Sequence, residues 1–219
     1  LTRALSMLCG PVRYVVDPKT QAIQQGIQRI VRPCFTGIRL PTYEPGASFN
    51  QILDLLCVHA ARNEAIIEDA LEAASSGRHP LVLSKRKKHA EELCRLLQSR
   101  GHEPILLTGE IDAKERIAIL KSLPSFEHEH RIIVATESLL GEGFDLSYLD
   151  TLLIATPISW DGSITQQAGR LHRSHEGKQR VEIFDYVDLS IPMFARMYQK
   201  RLKTYAKLGY EVFAANDNR

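Results

Sequence analysis

Leu81-Val82-Leu83-Ser84-Lys85-Arg86 is the stretch on which the fold turns. A brief apolar run ends in a serine and two cations. It passes straight into Lys87 to Arg100, where apolar residues recur every three or four positions. That change of period is the mark of a strand feeding a helix. The same succession continues down the chain. Strands are expected at Leu81 to Ser84, Ile105 to Thr108, Ile132 to Ala135, Thr151 to Ala155 and Val181 to Tyr186, with crossover helices at Lys87 to Arg100, Asp112 to Leu123 and Ser163 to Leu171. Continuous apolar strands separated by helices predict a sheet buried on both sides. The expected fold class is therefore α/β, a three-layer sandwich with a mostly parallel sheet and helices on both faces.

Local signals set the boundaries. Gly101 follows the first crossover helix where a left-handed C-cap is favoured, and Asp112 with Glu115 forms a capping-box pattern before the second. Asn50 to Ala74 is rich in helix formers and ends at Ser75-Ser76-Gly77, so one or two helices should precede the sheet. Met193 to Leu208 predicts a basic amphipathic helix packed back on the domain, and Ala214 to Arg219 a frayed tail. The first 44 residues differ. Val12 to Val16 and Ile27 to Ile38 have extended character, but Pro11, Pro18, Pro33 and Pro41 interrupt them and argue against a compact core. The expected organisation is a partly extended connector over 1–44 and one α/β domain over 45–219.

Composition excludes more than it assigns. In 219 residues, 44% hydrophobic and 25% charged content is that of a folded globular chain rather than a disordered one. A net charge of +2 is too small to indicate nucleic-acid binding by itself, so the distribution of charge has to decide. Cys9, Cys34, Cys57 and Cys94 form no CxxC pair, which suggests neither a zinc site nor a disulfide framework. With no signal-peptide pattern and no stretch approaching the ~20 apolar residues of a membrane span, a cytoplasmic location is expected. The start at Leu1 suggests a fragment of a longer chain.

Two segments carry chemistry. Gln166-Gln167-Ala168-Gly169-Arg170-Leu171-His172-Arg173 fits Q-x-x-G-R-x-x-R. Three-residue spacing places Arg170 and Arg173 on one side of a helix, where both guanidinium groups can meet one anion. Two convergent arginines suit the charge spread over a transferring phosphoryl group; a solvated helix end with scattered arginines is the plain alternative. The second segment, Ala135-Thr136-Glu137-Ser138-Leu139-Leu140-Gly141-Glu142-Gly143-Phe144-Asp145, places a threonine and a glycine-rich loop after a strand. That is the end of a parallel sheet where ligands bind, and small residues there let backbone amides approach phosphate.

These two segments resemble motifs V and VI of superfamily two helicases. Leu81 to Arg86 and Leu106-Leu107-Thr108-Gly109 resemble motif IV and its successor, in the family's order, over roughly Pro80 to Asp188. The Gly141-Glu142-Gly143-Phe144-Asp145 wording is most similar to the DNA repair and restriction-type branch. The resemblance implies the C-terminal, second RecA-like motor domain. It implies that Arg173 is an arginine finger with Arg170 beside it at the γ-phosphate, that Gln166 couples nucleotide state to domain closure, and that Gly143, Asp145 and Gly169 lie near the nucleotide. Ser84, Arg86, Thr108, Gly109 and Thr136 would face the phosphodiester backbone of one strand. The implied cofactors are ATP and Mg2+, held mainly by a preceding RecA-like domain of the same chain. The implied partner is DNA, with RNA as the alternative, and no membrane. There is no G-x-x-x-x-G-K-[ST] loop and no Asp-Glu pair after a strand, so this chain alone is not expected to hydrolyse ATP.

Other features are read more plainly. In Lys85-Arg86-Lys87-Lys88-His89 only Arg86 is assigned to nucleic acid; the rest is a solvated charge run. Glu127-His128-Glu129-His130 is surface filler rather than a metal site, and no metal is expected. Trp160, after a strand, is expected to pack as a cap on the sheet, with stacking on a base as the alternative. Arg196, Lys200, Arg201 and Lys203 make a basic face on the last helix, either solvated or touching DNA. Three readings of function stay open: the motor lobe, a stand-alone nucleic-acid-binding or regulatory module of the same fold, and more remotely a nucleotide-sugar transferase.

Overall fold

The computed structural model describes residues 26–40, 46–109, 113–123, 125, 129–137, 146–158, 171–172 and 175–213. In chain order these form β1 (Gln28–Phe35), α1 (Phe49–Cys57), α2 (Ala60–Ser75), β2 (Pro80–Ser84), α3 (Lys87–Ser99), β3 (Ile105–Leu107), α4 (Ala113–Ser122), β4 (Ile133–Thr136), β5 (Thr151–Ile154), β6 (Arg180–Val187), α5 (Pro192–Lys207) and β7 (Glu211–Val212). The strands make one sheet of order β3-β4-β2-β5-β6-β1-β7. Every pairing in it is parallel. This is the expected α/β class, and the five expected strands and the helices expected at Lys87 to Arg100 and Asp112 to Leu123 lie within a residue or two of their observed bounds; the helix expected at Ser163 to Leu171 falls, but for Leu171, outside the described residues.

Period-two alternation assigns the layers. Leu81, Leu83, Ile133, Ala135, Leu152, Ile154, Val181 and Ile183 share a cluster with Tyr205 and Leu208 around α5. Their neighbours Val82, Val134, Leu153 and Tyr186 face the other way, into Ile66, Ile67, Ala70, Leu93 and Leu97 of α2 and α3. One strand residue to each side is why these runs are apolar throughout. A third cluster joins α1 to the start of α5 through Ile52, Leu53, Leu56, Ile191 and Phe194.

Capping explains the helix ends. Ser48 and Gln51 form a capping box ahead of α1, and the His59 side chain accepts from Arg62 N–H at the head of α2. Asn50 to Ala74 is therefore two helices. Gly101 takes φ +82 behind α3, with its own N–H and that of His102 returned to Gln98 and Leu97, the C-terminal turn expected there.

The sequence reading and the structure part at β1. Extended character was expected over Ile27 to Ile38, but outside a core. Instead, β1 pairs with β6 over eight residues, Gln28↔Arg180 through Phe35↔Val187, and Ile30 and Val31 are buried. Pro33 argued against a sheet interior because it lacks an N–H. It is accommodated because β7 reaches only Ile30 and Val31, which among the described residues leaves that flank of β1 unpaired at Pro33.

Arg201 also differs from its expected place on a basic surface. It is buried and holds Asp185 with both Nε and Nη2 at 2.8 Å, while Nη1 donates to Ile158 O at 3.0 Å. Tyr205 Oη donates to the same carboxylate at 2.9 Å. α5 is thus keyed to the middle of the sheet by an ion pair as well as by apolar packing. Of the cysteines, Cys34, Cys57 and Cys94 are free thiols; Cys9 lies outside the described residues. Among the described residues no helix is long and apolar enough to cross a membrane.

Candidate nucleic-acid interface at the carboxyl edge of the sheet

In a parallel sheet all carboxyl ends lie along one edge, and the loops leaving that edge form the ligand side. Register places three of the expected site residues there in a row. Ser84 ends β2 opposite Thr136, the last residue of β4. Thr108 follows Leu107 of β3, which pairs with Ala135. Thr156 extends the row beyond β5, and its hydroxyl accepts from Lys85 N–H at 2.9 Å.

The loop after β2 is organised from within. Arg86 N–H donates to Ser84 Oγ at 3.1 Å, and Ser84 Oγ lies 3.0 Å from His89 Nδ1. His89 Nε2 lies 3.0 Å from Asn63 Oδ1, and Asn63 Nδ2 donates to Cys57 O at 2.9 Å. Burial lowers the His89 pKa to about 3, helped by the Arg62 charge, so the imidazole is neutral. Because the Asn63 oxygen can only accept, the proton sits on Nε2 and Nδ1 accepts from the serine hydroxyl. The chain of donors ties the loop to both α1 and α2.

Ser84 was expected to present its hydroxyl to a phosphodiester backbone. It is fully buried, and its hydroxyl is engaged inside the loop. Thr108 and Thr136 are also buried, whereas Gly109 is exposed. Arg86 reaches the surface, where its Nε donates to Asp54 Oδ1 and its Nη2 to Asn50 Oδ1, each at 2.8 Å. Lys85 Nζ lies 3.4 Å from Glu137 and 5.8 Å from the centre of the Phe49 ring. α1 therefore covers the flank of this loop and holds its arginine. Asp54, Asn50, Asn63 and His89 carry no motif, and nothing in their spacing marks them.

A second buried network closes the same edge at β1, β5 and β6. Arg62 of α2 donates to Ala155 O and, at 3.2 Å, to Asp188 Oδ1; Thr36 Oγ1 donates to Asp188 Oδ1 at 2.7 Å. These contacts hold the strand ends flush.

Gly143, Asp145, Gln166, Gly169, Arg170 and Arg173 lie outside the described residues, as do Trp160, Glu127 and His128. Two residues between the arginines are described. Leu171 is in the core, and His172 Nε2 lies 2.8 Å from Tyr210 Oη, which follows α5. Burial, with the Arg29 and Lys178 charges, lowers the His172 pKa to about 3. Among the described residues no three His, Cys, Asp or Glu side chains gather at metal-binding distance.

Comparison with known proteins agrees with this geometry. Residues 62–175 match the family described as helicase conserved C-terminal domain. The chain is 28% identical over 176 residues to UvrABC system protein B of Proteus mirabilis (strain HI4320), covering 77% of this chain and 23% of that protein. It thus spans about a quarter of the length of such relatives. Among solved structures it is similar to T4 UvsW, with TM-score 0.67 and 19% identity over 86% of this chain and 41% of that one. It is also similar to S. cerevisiae Dbp5 bound to RNA and ADP BeF3, with TM-score 0.56 and 14% identity over 88% and 43%. The last two share the fold.

Proposed function

The chain belongs to the helicase conserved C-terminal domain family, and on that premise we propose that it is the second RecA-like motor lobe of an ATP-dependent DNA helicase or translocase. The observation that supports this most is the register that sets Ser84, Thr136 and Thr108 side by side on the carboxyl edge, with Lys85 and Arg86 leaving the same edge. An edge of that kind, with two cations leaving it, suits a phosphodiester chain bound without regard to sequence. In this reading Arg86 and Gly109 meet the backbone directly. Ser84 acts at one remove, through its hold on the loop. The repair-type wording of Gly141 to Asp145 favours DNA over RNA.

Arg170 and Arg173 would set positive charge against the γ-phosphate of an ATP that, with its Mg2+, would be held mainly by a preceding RecA-like lobe of the same polypeptide. When bound, ATP would supply the phosphoryl group that passes to water once lobe closure has brought the two arginines to it. This chain's part is electrostatic. Leu171 and His172, which lie between the two arginines in sequence, are held inward, which supports a reading in which Arg170 and Arg173 would act at the interlobe cleft. Gln166, Gly143, Asp145 and Gly169 would line that cleft and report nucleotide state to the nucleic-acid edge.

The test is made on the intact enzyme. Arg173→Ala should lower DNA-stimulated ATP turnover by ~10³ to 10⁵ while ATP binding persists, the usual weight of an arginine finger. Turnover within a fewfold of wild type would remove Arg173 from the phosphoryl-transfer site.

A further inference from the structure

α5 separates its cations into two kinds. Arg201 turns inward to Asp185. Arg196, Lys200, Lys203 and Lys207 are exposed. Their spacing of four, three and four residues confines them to roughly 60° of the helix surface over roughly 16 Å of its length. The helix carries no acidic residue, and among the described residues none of the four forms an ion pair. Asp185, beneath the helix, is already taken by Arg201 and Tyr205.

This arrangement works against the helix. Arg196 with Lys200, and Lys203 with Lys207, are like charges at i,i+4, which repel. A solvated face that served only stability would alternate signs, as Lys87 with Glu91 and Arg95 with Glu92 do on α3. The chain as a whole is almost neutral at +2, so four unopposed cations in one line are a local concentration rather than a reflection of composition. The stripe offers no aromatic ring, because Tyr198 and Tyr205 of this helix are buried. A surface for single strands would be expected to stack bases on such rings. A straight cationic line without them fits the regular phosphate rail of a duplex, along which roughly 16 Å spans about five phosphates of one strand.

We propose that Arg196, Lys200, Lys203 and Lys207 form a second nucleic-acid contact, a docking rail for the phosphate backbone of duplex DNA, separate from the carboxyl-edge track. The α1–α5 apolar cluster places the head of the helix beside the carboxyl edge, so a duplex on the rail would continue toward the loop that carries Arg86.

The experiment measures binding of a fluorescein-labelled 20-base-pair duplex and of a 20-nucleotide oligo-dT to the 219-residue chain across a salt series. The triple variant Arg196→Gln, Lys200→Gln, Lys203→Gln is compared with a charge-matched control, Arg95→Gln, Arg100→Gln, Lys121→Gln. The rail variant should flatten the slope of log affinity against log salt for duplex by ~0.9 per contact removed, and should weaken duplex binding tenfold or more at low salt. The control should leave both measures near wild type. Equal losses in rail and control variants, or a loss confined to oligo-dT, would overturn the proposal. Neither result bears on the arginine-finger assignment, which is read from ATP turnover of the intact enzyme.

Discussion

At the scale of single residues, the carboxyl-edge loop pits a surface contact against a proposed ligand contact. Arg86 is the cation best placed to meet a phosphate, yet Asp54 and Asn50 of α1 hold its guanidinium. Asp54 is well exposed, so the pair is worth less than about 1 kcal/mol to the fold. Asp54→Ala should therefore leave urea denaturation almost unchanged while raising affinity for an oligonucleotide, because the arginine no longer has to leave a carboxylate. Arg86→Ala should lower that affinity at equal stability. If Asp54→Ala weakened binding instead, the carboxylate would be positioning Arg86 rather than competing for it.

At the scale of elements, α5 depends on one buried charge pair. Arg201 and Asp185 are both excluded from water, and Tyr205 completes the carboxylate's shell. Removing one member strands the other, so Arg201→Met should destabilise the domain by about 3 to 5 kcal/mol in urea denaturation. Tyr205→Phe removes one donor of three and should cost nearer 1 kcal/mol. A loss under 1 kcal/mol for Arg201→Met would show that apolar packing alone holds α5. Five cations share the helix; its period sets Arg201 roughly 100° or more from the other four, and the Asp185 carboxylate beneath it takes up its charge.

At the scale of the whole molecule, two buried neutral histidines set a pH limit. His89 and His172 both have pKa values lowered to about 3 by burial and nearby cations, against about 6.5 in an unfolded chain. Below about pH 6.5 the unfolded state takes up protons that the folded state refuses. Stability is therefore complete above that value and falls as pH drops toward 3, by about 1.4 kcal/mol per pH unit for each histidine once the unfolded imidazoles are charged. Urea midpoints measured between pH 7.5 and 5 should show this decline. His89→Asn, which keeps an amide in the same wire, should reduce the slope by about half; an unchanged slope would mean that His89 is protonated in the fold.

The sequence by itself determined the layers. Apolar runs such as Leu81 to Leu83 and Ile132 to Ala135, broken by helices of regular period, admit few solutions other than a parallel sheet covered on both sides, because each strand residue must bury one face or the other. The motif spacing from Ser84 to Arg173 pointed to the helicase family for a similar reason: phosphate chemistry fixes residue types at fixed separations along one strand or helix. Tertiary structure alone decided what depends on distant partners. β1 entered the sheet despite Pro33 because β7, nearly 180 residues later, stops short of it. The Ser84 hydroxyl turned inward because His89 and Asn63 wait for it. Arg201, set off from Arg196, Lys200, Lys203 and Lys207 by the helical period, is buried because the fold brings Asp185 beneath it. Local pattern records the period of burial, whereas the fate of a polar side chain depends on which partner the fold brings within about 3 Å.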